Sequence, residues 1–313
     1  MMGETMRDTY GKYLAQLGGT RSNLVVLDAD VSSSTKSNYF AKAYPDRFFN
    51  VGVAEANMAD IAGGLATAGF RPVVNAFALF LALKSTDQIR NVLAYNGLPV
   101  VLAGAYGGLS DSFDGASHHS LADIAIMRAI PGLEVLVPAD AEEVKLTLDY
   151  ALGRDGPTYL RLNRNEVPSL SEKYGMRPAS LAITSIRALR KGSDVTIAAT
   201  GMCVAMAVRA AEMLAIQGIS AEVLDVTSIK PLDADTLAAS VAKTGHLVTA
   251  EEHSVVGGLG SACAEALAER GMPFSLRRVG VADCYTESGP YEKILVKYGI
   301  SAEAIARQAV SLA

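Results

Sequence analysis

The chain has 313 residues, 50% hydrophobic and 19% charged, a globular balance in a length that exceeds one typical core, so two domains are expected. Its net charge of −5 is spread without a basic block, which excludes nucleic acid or an anionic membrane as partner. The apolar runs break at Gly or charge before they could span a bilayer, and the start Met1-Met2-Gly3-Glu4-Thr5-Met6-Arg7 lacks the form of a secretory signal, so a soluble, cytoplasmic protein is expected.

In chain order, short Val/Ile/Leu runs alternate with amphipathic segments, the pattern of an α/β fold with parallel sheets. Strands are expected at 24–27, 48–53, 72–76, 99–103, 134–137 and 158–162. The second, read as buried, leads into a helix at 56–68 so rich in Ala and Gly that another backbone could approach it closely. Asp140-Ala141-Glu142-Glu143, with Pro138 just ahead, opens a helix running to Leu152 and a Gly153 stop. Between residues 165 and 193 the pattern loosens into Pro168, Ser169, Ser171, Gly175 and Pro178, then basic Arg187, Arg190 and Lys191. A linker there divides the chain into domains at 1–170 and 193–313, with 171–192 between them. The second domain is expected to hold strands at 194–199, 221–226, 246–251 and 274–279, with helices at 202–217, 233–242 and 259–270.

Glu55 sits at the junction between the second strand and the small-residue helix. It reads either as a residue presented to a ligand or as an acid that complements the helix dipole. Phe77 and Phe80 fall one turn apart where a strand enters a helix, at the sheet edge where α/β proteins bind ligands, although such pairs are also ordinary core packing. Residues 104–119 form a loop too long and polar for a mere connector, and its Asp114 and His118 can grip hydroxyls or move protons. Cys203, Cys263 and Cys284 are odd in number and widely spaced in apolar or helical surroundings, which reads as buried thiols. The four histidines have no ligand spacing, so no protein metal site is expected. Glu251-Glu252-His253 and Gly257-Gly258-Leu259-Gly260 read as a tight strand-to-helix turn or as an anion site.

Gly52-Val53-Ala54-Glu55, the Phe77-to-Phe80 segment, Asp114-Gly115-Ala116-Ser117-His118-His119 and Leu162-Asn163-Arg164 occur in the order found in transketolases. Over essentially its whole length the chain resembles the C-terminal half of such an enzyme, the pyrimidine-binding domain followed by the C-terminal domain. The resemblance implies thiamine diphosphate as cofactor, with Glu55 the acid hydrogen-bonded to the pyrimidine N1′, Phe80 the ring stacked on the pyrimidine and Phe77 its aromatic neighbour. It also implies an anion clamp of Arg7, Ser34 and Arg164, with Asp114 on a substrate hydroxyl and His118 on the donor hydroxyl or developing oxyanion. His119 stands where Gln is expected. Gly104, Ala105 and Tyr106 stand where the family carries a phosphate-binding His, and Ser112-Phe113 reads as a two-residue insertion, so a modified, branched or sulfonated sugar enters consideration.

No Gly-Asp-Gly with a following Asn occurs to hold a metal on the diphosphate. The resemblance therefore implies that Mg2+ or Ca2+ is held by an N-terminal-half partner subunit, in an α2β2 assembly where this chain pairs with itself. The expected reaction is transfer of a two-carbon ketol unit from a ketose phosphate to an aldose acceptor. A 2-oxoacid dehydrogenase β-subunit, a deoxyxylulose-phosphate-synthase-like enzyme and a non-catalytic assembly partner are the alternatives.

Overall fold

The computed structural model describes residues 5–175 and 183–313; Pro178 of the expected linker lies outside the described residues. Among the described residues twelve strands form two sheets. The first contains β1 (Leu24–Asp28), β2 (Phe48–Asn50), β3 (Arg71–Phe77), β4 (Val101–Ala105), β5 (Glu134–Leu136) and β6 (Thr158–Arg161). The second contains β7 (Arg187–Arg190), β8 (Val195–Ala199), β9 (Ala221–Asp225), β11 (His246–Ser254) and β12 (Ser275–Val281). Between β9 and β11, β10 (Ser228–Lys230) crosses back to complete the first sheet, whose order is β10-β5-β6-β4-β3-β1-β2. The second sheet runs β12-β11-β8-β9-β7. All pairs are parallel except β10 on β5 and β7 on β9, so the expected α/β class with two mainly parallel sheets holds.

Central strands such as β1 and β8 are buried at every residue because helices cover both faces. The helix Ala141–Gly153 starts as its sequence predicts, with the Asp140 carboxylate accepting from the Glu142 and Glu143 amides. Two expectations need correction. The segment 48–53 is not a buried strand: β2 is a sheet edge ending at Asn50, and Phe49 and Val53 are 41% and 71% exposed. Cys284 is exposed in the loop after β12, whereas Cys203 and Cys263 are buried thiols. In the helix Glu55–Thr67, Gly63 packs within the chain, where a Cβ would lie 2.5 Å from the Val92 side chain, and a Cβ at Gly64 would meet nothing within 4 Å.

An apolar cluster joins the two sheets, running from Leu27, Met58 and Leu102 through Ile124 and Met127 to Leu224, Leu237 and Leu259. Two arginines tie the same boundary. Arg161 on β6 bonds Asp123 (Nε to Oδ2, 2.7 Å), the Ser120 carbonyl (2.9 Å) and the Glu252 carbonyl on β11 (3.0 Å). Arg187 bridges Glu143 and Asp225, each at 2.6 Å. Among the described residues no helix is long and apolar enough to cross a membrane.

Candidate active site

The C-terminal ends of β3, β4 and β6 deliver the side chains that converge here. β3 ends at Phe77, the helix Ala78–Lys84 follows at once, and the Phe77 and Phe80 ring centroids lie 5.8 Å apart. β4 ends at Ala105 and opens the long loop, whose first residue, Tyr106, packs its ring 4.7 Å from Phe77. His118, at the far end of the loop, approaches Phe80 edge-on at 5.1 Å and Phe77 at 6.0 Å. These four rings form one aromatic wall.

Glu55 opens the helix Glu55–Thr67 and is only 2% exposed. Its Oε2 accepts from the Lys84 ammonium, which also lies 5.5 Å from the centre of the Phe80 ring. At the other end of the wall, Arg7 donates to the Tyr106 hydroxyl (2.6 Å) and the Ser34 carbonyl (3.5 Å), while Arg164 stacks 5.0 Å from the same Tyr106 ring. The expected clamp residues are thus brought together, but Ser34 meets Arg7 through its backbone. The neighbouring Thr35 and Ser37 hydroxyls are taken by the buried Asp28 carboxylate, at 2.9 and 2.8 Å, which fixes the turn that carries Ser34. Tyr106 holds φ +62°, an uncommon conformation for a residue with a Cβ, and its hydroxyl bond and stacked guanidinium keep it there.

Asp114 joins Asp111 and His118, the three donor atoms lying within 4.8 Å of one another. Burial and the neighbouring Asp114 push the Asp111 carboxyl above its ordinary range, opposed by Arg164, whose Nη1 sits 2.7 Å away. A guanidinium already supplies the positive charge at this trio. His119 faces the other way: its Nδ1 is 2.6 Å from the Thr286 hydroxyl in the loop after β12, and burial pushes its pKa down. The loop seats against the second sheet through Gly108, φ +69°, where a Cβ would stand 2.5 Å from the Glu252 carboxyl carbon. That carboxyl accepts from the Leu109 amide and the Asn163 side chain, both at 2.8 Å. At the glycine-rich turn, the Glu251 carboxylate accepts from Leu259 and Gly260, so the helix N-terminus is filled from within the chain.

Lys84, Tyr106 and Asp111 escape assignment from sequence. Lys84 lies four residues after Phe80, a spacing that puts both on one helix face, and this was the one legible signal among the three.

The family model for the transketolase pyrimidine-binding domain matches residues 3–169, and that for the transketolase C-terminal domain matches residues 185–305. The 6-deoxy-6-sulfo-D-fructose transketolase subunit SqwH of Clostridium sp. is 42% identical over 307 residues, covering 97% of this chain and 93% of that protein. A putative transketolase C-terminal section of Methanocaldococcus jannaschii is 41% identical over 303 residues, covering 97% and 94%. The solved structure of a split gene transketolase, described as an inactive beta4 tetramer, superposes with a TM-score of 0.89 at 42% identity and covers 99% of this chain and 98% of that one. The chain belongs to the transketolase family and corresponds to its C-terminal half, the pyrimidine-binding domain followed by the C-terminal domain.

Proposed function

We propose that this chain is the C-terminal subunit of a split, thiamine-diphosphate-dependent transketolase that moves a two-carbon ketol unit from an anionic ketose to an aldose acceptor. The carrying observation is the buried Glu55 carboxylate beside the Phe80 ring at one end of the aromatic wall, with two guanidinium groups at the other. One buried acceptor next to an aromatic face fits an aminopyrimidine, which offers a ring nitrogen and a flat surface. The cofactor, when bound, supplies carbanion stabilisation. Glu55 would hold the pyrimidine N1′ by a hydrogen bond in which the two share a proton, Phe80 and Phe77 would orient the ring, and His118 and Asp114 would hold substrate hydroxyls. Arg7 and Arg164 anchor the remote anionic group by charge-assisted hydrogen bonds.

The same reading assigns the diphosphate and its Mg2+ or Ca2+ to an N-terminal-half partner, with this chain pairing with itself in an α2β2 assembly. The exposed apolar residues Phe49, Val53, Leu83 and Phe113 near the site residues in sequence support a surface made to be covered.

A sulfonated ketose is favoured as donor by one further observation. Asp111 neutralises Arg164 and leaves Arg7 as the clamp guanidinium without a carboxylate partner among the described residues, a balance that suits a singly charged head better than a dianionic phosphate. The activity in the name of the Clostridium relative points the same way.

The test is ketol transfer by the complex with its partner subunit, comparing D-fructose 6-phosphate with 6-deoxy-6-sulfo-D-fructose, two donors that differ in the anionic head. A higher kcat/KM for the sulfonate supports the charge argument, and a higher value for the phosphate refutes it. Pyruvate-dependent dye reduction without ketol transfer would move the chain to the 2-oxoacid dehydrogenases.

A further inference from the structure

Glu55 is a buried acid whose hydrogen-bond partner, Lys84, is itself half exposed: the two side chains are 3% and 44% accessible. A lysine that reaches a buried carboxylate along its apolar stem keeps its ammonium close to water. Lys84 ends the helix Ala78–Lys84. Among the described residues no hydrogen bond other than that to Glu55 holds its ammonium, and its remaining polar contact is the Phe80 ring face. Four rotatable bonds let it leave towards water at small cost, since an ammonium is strongly hydrated.

The two groups that Lys84 touches are those the proposed cofactor needs. The ammonium lies on the Glu55 carboxylate and against Phe80, so an aromatic ring that hydrogen-bonds Glu55 and stacks on Phe80 must take its place. We infer that Lys84 is a placeholder: it neutralises Glu55 in the cofactor-free chain and is expelled when the aminopyrimidine takes over the same two partners. This rests on the cofactor reading of Glu55. A buried carboxylate with no partner would be costly, so the placeholder keeps the empty site folded and charge-balanced. It also lowers apparent cofactor affinity by the fraction of sites in which Lys84 is engaged.

The test uses the complex with its partner subunit. Lys84 is acetylated under trace conditions with and without thiamine diphosphate and Mg2+, and its rate is read by mass spectrometry against the exposed Lys42 of the same chain. Cofactor should raise the Lys84:Lys42 ratio about fivefold, as an engaged amine becomes free, whereas inorganic diphosphate with Mg2+, which has no pyrimidine, should leave it unchanged. An unchanged or lower ratio at saturating thiamine diphosphate overturns the inference. In parallel, Lys84→Met should tighten the thiamine diphosphate Kd by the same factor, about fivefold, since the competitor is removed, while unchanged or weaker binding would overturn the proposal. If the complex shows no saturable thiamine diphosphate binding at all, the cofactor reading of Glu55 fails, an outcome distinct from binding that leaves Lys84 unmoved.

Discussion

Arg161→Ala probes the buried connection between the two sheets. The guanidinium donates to both oxygens of Asp123, at 2.7 and 3.2 Å, and to the Ser120 and Glu252 carbonyls. Asp123 is fully buried, and the remaining Tyr159 hydroxyl at 2.7 Å offsets only part of the lost charge. Leaving such a carboxylate without its cation costs about 3–5 kcal/mol. At roughly 2–3 °C per kcal/mol for a chain of this size, the midpoint of thermal unfolding should fall by about 10 °C. The loss should shrink towards acid pH for two reasons of the same sign. Burial raises the Asp123 carboxyl and Arg161 more than offsets that, so in the variant the burial is opposed less and Asp123 takes up a proton more readily as pH falls, which relieves the penalty. His253, whose Nε2 lies 3.9 Å from Asp123, is held down to about 4 by burial, with Arg161 also lowering it, so the variant frees it to take up a proton and pair with Asp123. Circular-dichroism melts of both proteins at about pH 5.5 and about pH 7.5 measure both effects. A neutral-pH shift of under about 3 °C, or a penalty that grows on acidification, would refute the reasoning.

Glu55→Gln keeps the shape of the site but removes the acidic proton, so ketol transfer by the complex should fall about a hundredfold or more while subunit assembly, followed by size-exclusion chromatography, stays intact. Turnover at the wild-type rate would remove Glu55 from the chemistry. Burial raises the Glu251 and Glu252 carboxyls to about 7. The folded chain therefore holds protons that the unfolded chain releases above about pH 4.5, and this contribution to stability declines as pH rises to about 7. His253 acts in the opposite sense between about 4 and about 6.5. Glu252→Gln should accordingly flatten the fall in melting temperature between about pH 5.5 and about pH 8, and an unaltered slope would rule out Glu252 as its source.

The parallel strands and main helices were legible in sequence because each is a local apolar period closed by its own punctuation, as at Asp140 and Gly153. β7 and β10 were not, since they are short edge strands whose pairing partners lie far away in the chain: Arg187 opposite Asp225, and Ser228 opposite Leu136. Phe77 and Phe80 could be placed on one face from helical spacing, and the long loop announced itself by length and polarity. That Tyr106 would stand between two arginines, and that Asp111 would meet Arg164 from 53 residues away, depends on the path of the loop across the sheet edge, which no local period encodes.

The return of β10 to the first sheet makes the two halves inseparable in practice. A fragment cut in the 171–192 region would strip β5 of its antiparallel neighbour and open a strip of unpaired backbone amides and carbonyls on Glu134–Leu136. Bare strips of that kind recruit other chains, so the amino-terminal fragment would be prone to aggregate. A protease nick in the same region would leave two pieces that still co-migrate under native conditions, because the sheet itself acts as the tether.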